Sequence, residues 1–138
     1  MRRKLIEQVL GKATMYVTLS AGSTSAQASG SIDREGYLSA YVVGYGKATA
    51  ADTAQVTFYV YDSSDNSTFA IYDSANATGG VNASAAVTSA SDVAVFDVDL
   101  AGANRYIKVY ATPDEATNTT AVYTATVILG DAINEPAV

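Results

Sequence analysis

Asp62, Asp65 and Asn66 stand in one short polar run, Asp-Ser-Ser-Asp-Asn, and offer the densest set of oxygen donors in this chain. Calcium takes six to eight such oxygens, so the run is a candidate cation loop. It lacks the glycine and the distal glutamate of an EF-hand loop, and its ordinary reading is a hairpin turn held by its own side chains. A second candidate is Arg105, which, beside Asp97 or Asp99, reads either as a ligand-reading group or as a surface ion pair between strands. A third is a set of tyrosines. Tyr59 and Tyr61 alternate on one segment, as do Tyr106 and Tyr110 on another. If the two segments share a sheet, four rings cover one outer face, a surface suited to protein contacts or to stacking on sugars.

Other chemistry is hard to build from these residues. The chain has no histidine and no cysteine, which removes the commonest general base, thiolate nucleophiles and sulfur ligands together. Serine nucleophiles would have no imidazole partner. The expectation is a protein without enzymatic activity, cofactor or transition metal.

The elements that must carry these residues are strands. Gly36–Gly46, Ala54–Asp62, Val93–Leu100, Arg105–Thr112 and Ala121–Leu129 alternate apolar and polar residues at period two, separated by clusters of Asp, Asn, Ser and Gly. Weaker strands are expected at about Met15–Ser20, Thr68–Asp73 and Ala85–Ser89. Ala21–Ser31 reads as a long loop or a frayed edge strand, Pro113–Thr119 as a hairpin loop. The pattern predicts one antiparallel β-sandwich, of jelly-roll or immunoglobulin-like topology, over residues 15–130. Its inward positions are Leu38, Val42, Val56, Phe58, Val60, Phe96, Val98, Leu100, Ile107, Val109, Val127 and Leu129. Residues 131–138 read as a tail.

Residues 1–14 differ from the rest. Leu5, Ile6, Val9 and Leu10 have helix-like spacing, ended by Gly11, in a stretch too short to be a stable helix alone. Residues 1–12 carry a net charge of +3 and the remainder −9, giving −6 in all. A basic tip on an acidic body suggests an arm that docks on acidic groups. Arg2, Arg3 and Lys4 would reach those groups, and Leu5, Ile6, Val9 and Leu10 would bury apolar surface, on a neighbouring subunit or on the chain's own sandwich. The acidic body disfavours nucleic acid, since its field repels phosphate. No segment is apolar for long enough to span a bilayer as a helix, and Glu7, Gln8 and Lys12 interrupt what would otherwise resemble a signal peptide.

Tyr61–Ile71 and Phe96–Val109 carry a combination that resembles small virion structural proteins of tailed bacteriophages. A strand runs into Asp-Ser-Ser-Asp-Asn-Ser-Thr-Phe, followed by Phe-Asp-Val-Asp-Leu, Asn-Arg-Tyr-Ile-Lys-Val and a closing strand ending Leu-Gly-Asp. The resemblance covers about residues 54–130. It implies a decoration or cement protein on the capsid exterior, with the major capsid protein or further copies of itself as partners, and a homo-oligomer on the particle. A shorter part, Ser-Ser-Asp-Asn-Ser-Thr-Phe-Ala-Ile followed by Arg-Tyr-Ile-Lys-Val, is similar to discoidin-type carbohydrate-binding modules. There the hairpin aromatic is usually tryptophan, and here it is Phe69. That similarity implies a sugar-binding or adhesion module.

Overall fold

The computed structural model describes residues 10–19, 26–48, 54–72, 84–87, 91–115 and 121–132. Ten strands are described: β1 (Leu10–Leu19), β2 (Gln27–Ala28), β3 (Ile32–Asp33), β4 (Tyr37–Ala48), β5 (Ala54–Ser63), β6 (Ala70–Ile71), β7 (Ser84–Val87), β8 (Ser91–Asp99), β9 (Tyr106–Glu115) and β10 (Ala121–Ala132). The first sheet has the order β1-β10-β4-β8. The second has the order β2-β9-β5-β6, with β3 also on β9 and β7 also on β5. Every pairing is antiparallel.

The strand order identifies the topology. β2 and β3 lie end to end along β9, bridged at Ser29, whose amide donates to the Val109 carbonyl and whose hydroxyl accepts from the Val109 amide. β6 and β7 lie in the same way along β5. With each pair taken as one interrupted edge strand, every chain connection crosses between sheets except the one from β5 to β6. That is a jelly roll. An immunoglobulin-like sandwich keeps several consecutive strands in the same sheet and is excluded.

The core is where period-two alternation puts it. Val42 on β4, Val56, Phe58 and Val60 on β5, Val98 on β8, Ile107 and Val109 on β9, and Val127 and Leu129 on β10 are all buried, as is Leu100 just beyond β8. Each such side chain contributes about 1.5–3 kcal/mol when fully buried. Phe58 and Tyr123 meet edge to face across the two sheets, with ring centroids 6.2 Å apart. Tyr72, just past β6, is buried and donates its hydroxyl to the Asp99 carbonyl at 2.8 Å, tying the edge of the second sheet to the end of β8.

Several expectations are corrected. Leu38 has the inward parity of Val42 but sits at the open end of β4 and is 38% exposed; Phe96 is only partly buried. Leu10 does not belong to a helix. It opens β1 and pairs with Leu129, because a ladder with β10 satisfies backbone groups that a short isolated helix would leave to water. Pro113 lies in β9, not in a loop, opposite Val56 and two residues beyond the last β2 pair at Ala111, so its missing amide costs no bond to β2. β10 runs on to Ala132 through Asp131, whose φ of 54° is left-handed.

Candidate functional site

The four tyrosines do share a sheet. Tyr59 pairs with Tyr110, Tyr61 with Lys108 and Ser63 with Tyr106, so all four rings lie on the outer face of β5 and β9. They do not form a row of free platforms. Tyr61 and Tyr110 stack on each other at 4.0 Å with an interplanar angle of 30°. The Lys108 ammonium covers the Phe69 ring at 4.2 Å, and the Arg105 guanidinium lies 5.4 Å from the Tyr106 centroid. Each of these contacts uses a ring face that a sugar would otherwise occupy.

The acidic turn is held by its own hydrogen bonds. The Asp65 carboxylate accepts from the amides of Ser67 and Thr68, both at 2.9 Å, and from the Ser63 hydroxyl at 2.8 Å. The amides of Thr68 and Ser67, then the Ser63 hydroxyl, hold its carboxyl well below the usual carboxylate range. Asp62 accepts from the Asn104 amide at 2.7 Å, and Asn66, at φ 59°, accepts from the Ser31 hydroxyl. The three side chains therefore brace three different segments. Among the described residues, no three His, Cys, Asp or Glu are grouped so that they could hold a metal ion.

Arg105 pairs with neither Asp97 nor Asp99. Its guanidinium meets Asp33 at 2.8 Å and Glu35 at 2.7 Å, and the Arg105 hydrogen bond is the main cause of a lowered Asp33 carboxyl. The reason is topological: β8 and β9 are neighbours in sequence but lie in different sheets. Sequence reasoning also missed Arg34. Its guanidinium donates to the carbonyls of Asn104 at 3.0 Å, Tyr37 at 3.2 Å and Ala103, clamping the turn between β8 and β9 to the start of β4.

A second surface went unread in the sequence. On the outer face of the first sheet, one row aligns Val93, Tyr45 and Thr124, and the next aligns Val95, Val43 and Thr126. A third row holds Asp97, Tyr41 and Ile128. Val93 is 52% exposed, Val95 48% and Tyr41 40%. The first two rows contain no charged residue. The signal was in the sequence, since β8 has valines at the two outward positions immediately before Asp97, but its apolar neighbours come from β4 and β10. Arg2, Arg3, Lys4, Leu5, Ile6 and Val9 lie outside the described residues.

No family model matches the chain, and neither does any curated protein. Solved structures do. The chain is similar to the PBSX exported protein XepA, at 18% identity and a TM-score of 0.58, over 94% of this chain and 39% of that one. It thus spans well under half of that protein's length. It is also similar to the infectious bursal disease virus VP2 subviral particle (8% identity, TM-score 0.53, over 94% of this chain and 34% of that one). A third likeness is to a structure titled for CBM4 structure and function, at 12% identity and a TM-score of 0.50, over 82% and 73% of the two chains. At these identities the likenesses establish the sandwich fold.

Proposed function

We propose that this chain is a non-enzymatic structural protein of a bacteriophage particle that binds the outside of the head as a decoration or cement protein. The observation that carries the reading is the outer face of the first sheet, where Tyr41, Val43, Val93 and Val95 stand together. A contiguous apolar patch on a chain with a net charge of −6 is the mark of a surface built to be covered by another protein. Its partners in this reading are the major capsid protein and further copies of the chain, and its location is the virion surface. The infectious bursal disease virus VP2 subviral particle and the PBSX exported protein XepA share the sandwich fold, which is compatible with this role.

The test is co-sedimentation of the purified chain with assembled heads of the phage that encodes it. Binding is expected, with loss of at least ten-fold in affinity for Val95→Lys, whose charge would be buried on docking. Absence of binding to heads, or unchanged binding by Val95→Lys, overturns the reading.

The tyrosine face supports a second reading, a carbohydrate-binding module. It is the weaker of the two because Tyr61 and Tyr110 occupy each other's faces. Glycan-array binding that is lost in Tyr61→Ala and Tyr110→Ala would establish it in place of the first.

A further inference from the structure

The apolar face of the first sheet runs into a groove. Beyond the row of Asp97, Tyr41 and Ile128, the next row holds Asp99, Ser39 and Gly130. Ser39 has a small side chain and Gly130 none, so the surface drops there into an open groove crossing β8, β4 and β10. Leu38, Tyr41 and Ile128 make it apolar, with Asp97 and Asp99 on its β8 side and Asp131 on its β10 side. All three aspartates are exposed, and the described ion pairs, which join Arg105 to Asp33 and Glu35, involve none of them. Asp99 holds the Ala101 amide at 2.9 Å through one oxygen, which leaves its other oxygen to a further donor. The described side chains of this face include no lysine or arginine.

We propose that the groove seats a segment of the covering shell protein that carries aliphatic side chains together with lysines or arginines, which rests on the reading of the first sheet as the docking face. Asp97, Asp99 and Asp131 then select the partner, while the valine patch supplies contact area. Continuity supports this, because Tyr41 belongs both to the exposed patch and to the groove, so one partner covers both. Charge supports it too. Asp97 stands in the same row as Tyr41, so a protein that covers the tyrosine covers the carboxylate, and a carboxylate buried without a counter-charge is costly. The spacing sets the form of that charge. Asp97 and Asp99 are two residues apart along β8, about 7 Å, and Asp131 lies two strands away, about 10 Å. Among the described residues no three such groups could hold one metal ion, so the positive charge must arrive as separate groups along a chain. Lysine and arginine supply those groups on aliphatic stems that suit the apolar floor.

The test combines Asp97→Asn, Asp99→Asn and Asp131→Asn in one variant. Asparagine keeps an acceptor for the Ala101 amide and tolerates the left-handed backbone at Asp131, so the unfolding curve should match that of the native chain. In co-sedimentation with assembled heads at low salt, the triple variant should bind about ten-fold more weakly than the native chain, and the gap should close as salt rises. A peptide of sequence LVIKRK, titrated into the isolated chain, should shift the amide NMR signals of Asp97, Asp99 and Gly130. The neutral peptide LVISNS should not, and the triple variant should lose the response. If heads bind the native chain and the triple variant equally while Val95→Lys abolishes binding, the groove proposal is overturned and the docking face stands. Peptide shifts that map elsewhere, or that persist in the triple variant, also overturn it. A native chain that ignores heads but takes the peptide in the groove overturns the docking reading and leaves the groove's chemistry in place.

Discussion

The ring of Phe58 on β5 occupies the space that a side chain at Gly44 on β4 would need: a Cβ placed there would lie 2.5 Å from two ring carbons. Phe58 is fully buried and meets Tyr123 edge to face, so the ring has nowhere to move. Gly44→Ala should therefore cost about 1–3 kcal/mol through overpacking, read as a lower denaturant midpoint. Gly30→Ala is the control, because nothing lies within 4 Å of its Cβ position, and its midpoint should barely change. Equal midpoints for the two variants would contradict the packing described.

Tyr123 is buried between the sheets, and its hydroxyl has no hydrogen-bond partner among the described residues. Burial pushes the phenol up to about 12. An unpaired buried hydroxyl contributes its desolvation cost and no bond in return. Tyr123→Phe keeps the ring contact with Phe58 and should leave stability unchanged or raise it by up to about 1 kcal/mol. A lower melting temperature would show that the hydroxyl is bonded after all.

Asp65 should make the fold acid-sensitive. Its folded carboxyl titrates below the unfolded one, so its contribution is fully present above about pH 4 and is lost as pH falls towards the folded value. Asp65→Asn keeps an acceptor oxygen but cannot titrate. The difference in unfolding midpoint between the native chain and this variant should hold down to about pH 4 and then shrink steadily to pH 2.5. A difference that stays constant over that range would show that the carboxylate charge contributes nothing to the turn.

Much of the sandwich was readable because burial on one face of a strand forces period two. Val56, Phe58 and Val60, or Ile107, Val109 and Ala111, name their inner face without any knowledge of a partner. The polar turn at Asp65 was equally local, since an aspartate that bonds amides two and three residues on needs no other element. Leu10 was misread for the opposite reason: its helix-like spacing with Leu5, Ile6 and Val9 is a local preference, and a long-range ladder to β10 overrides it.

The sequence by itself determined that the chain folds as an all-β sandwich, which side chains of its central strands face the core apart from Leu38 and Phe96, and that its tip and body carry opposite charge. Only the tertiary structure decided the jelly-roll order, the pairing of Arg105 with Asp33 and Glu35 in place of Asp97 or Asp99, and the apolar face formed by Val93, Val95, Val43 and Tyr41. The physical reason is the same in each case. Alternation along a strand is set by the residues of that strand, but strand neighbours are chosen by how two sheets close over a shared core. In a jelly roll nearly every connection crosses between sheets, so residues close in sequence are sent to opposite faces and residues far apart are brought side by side.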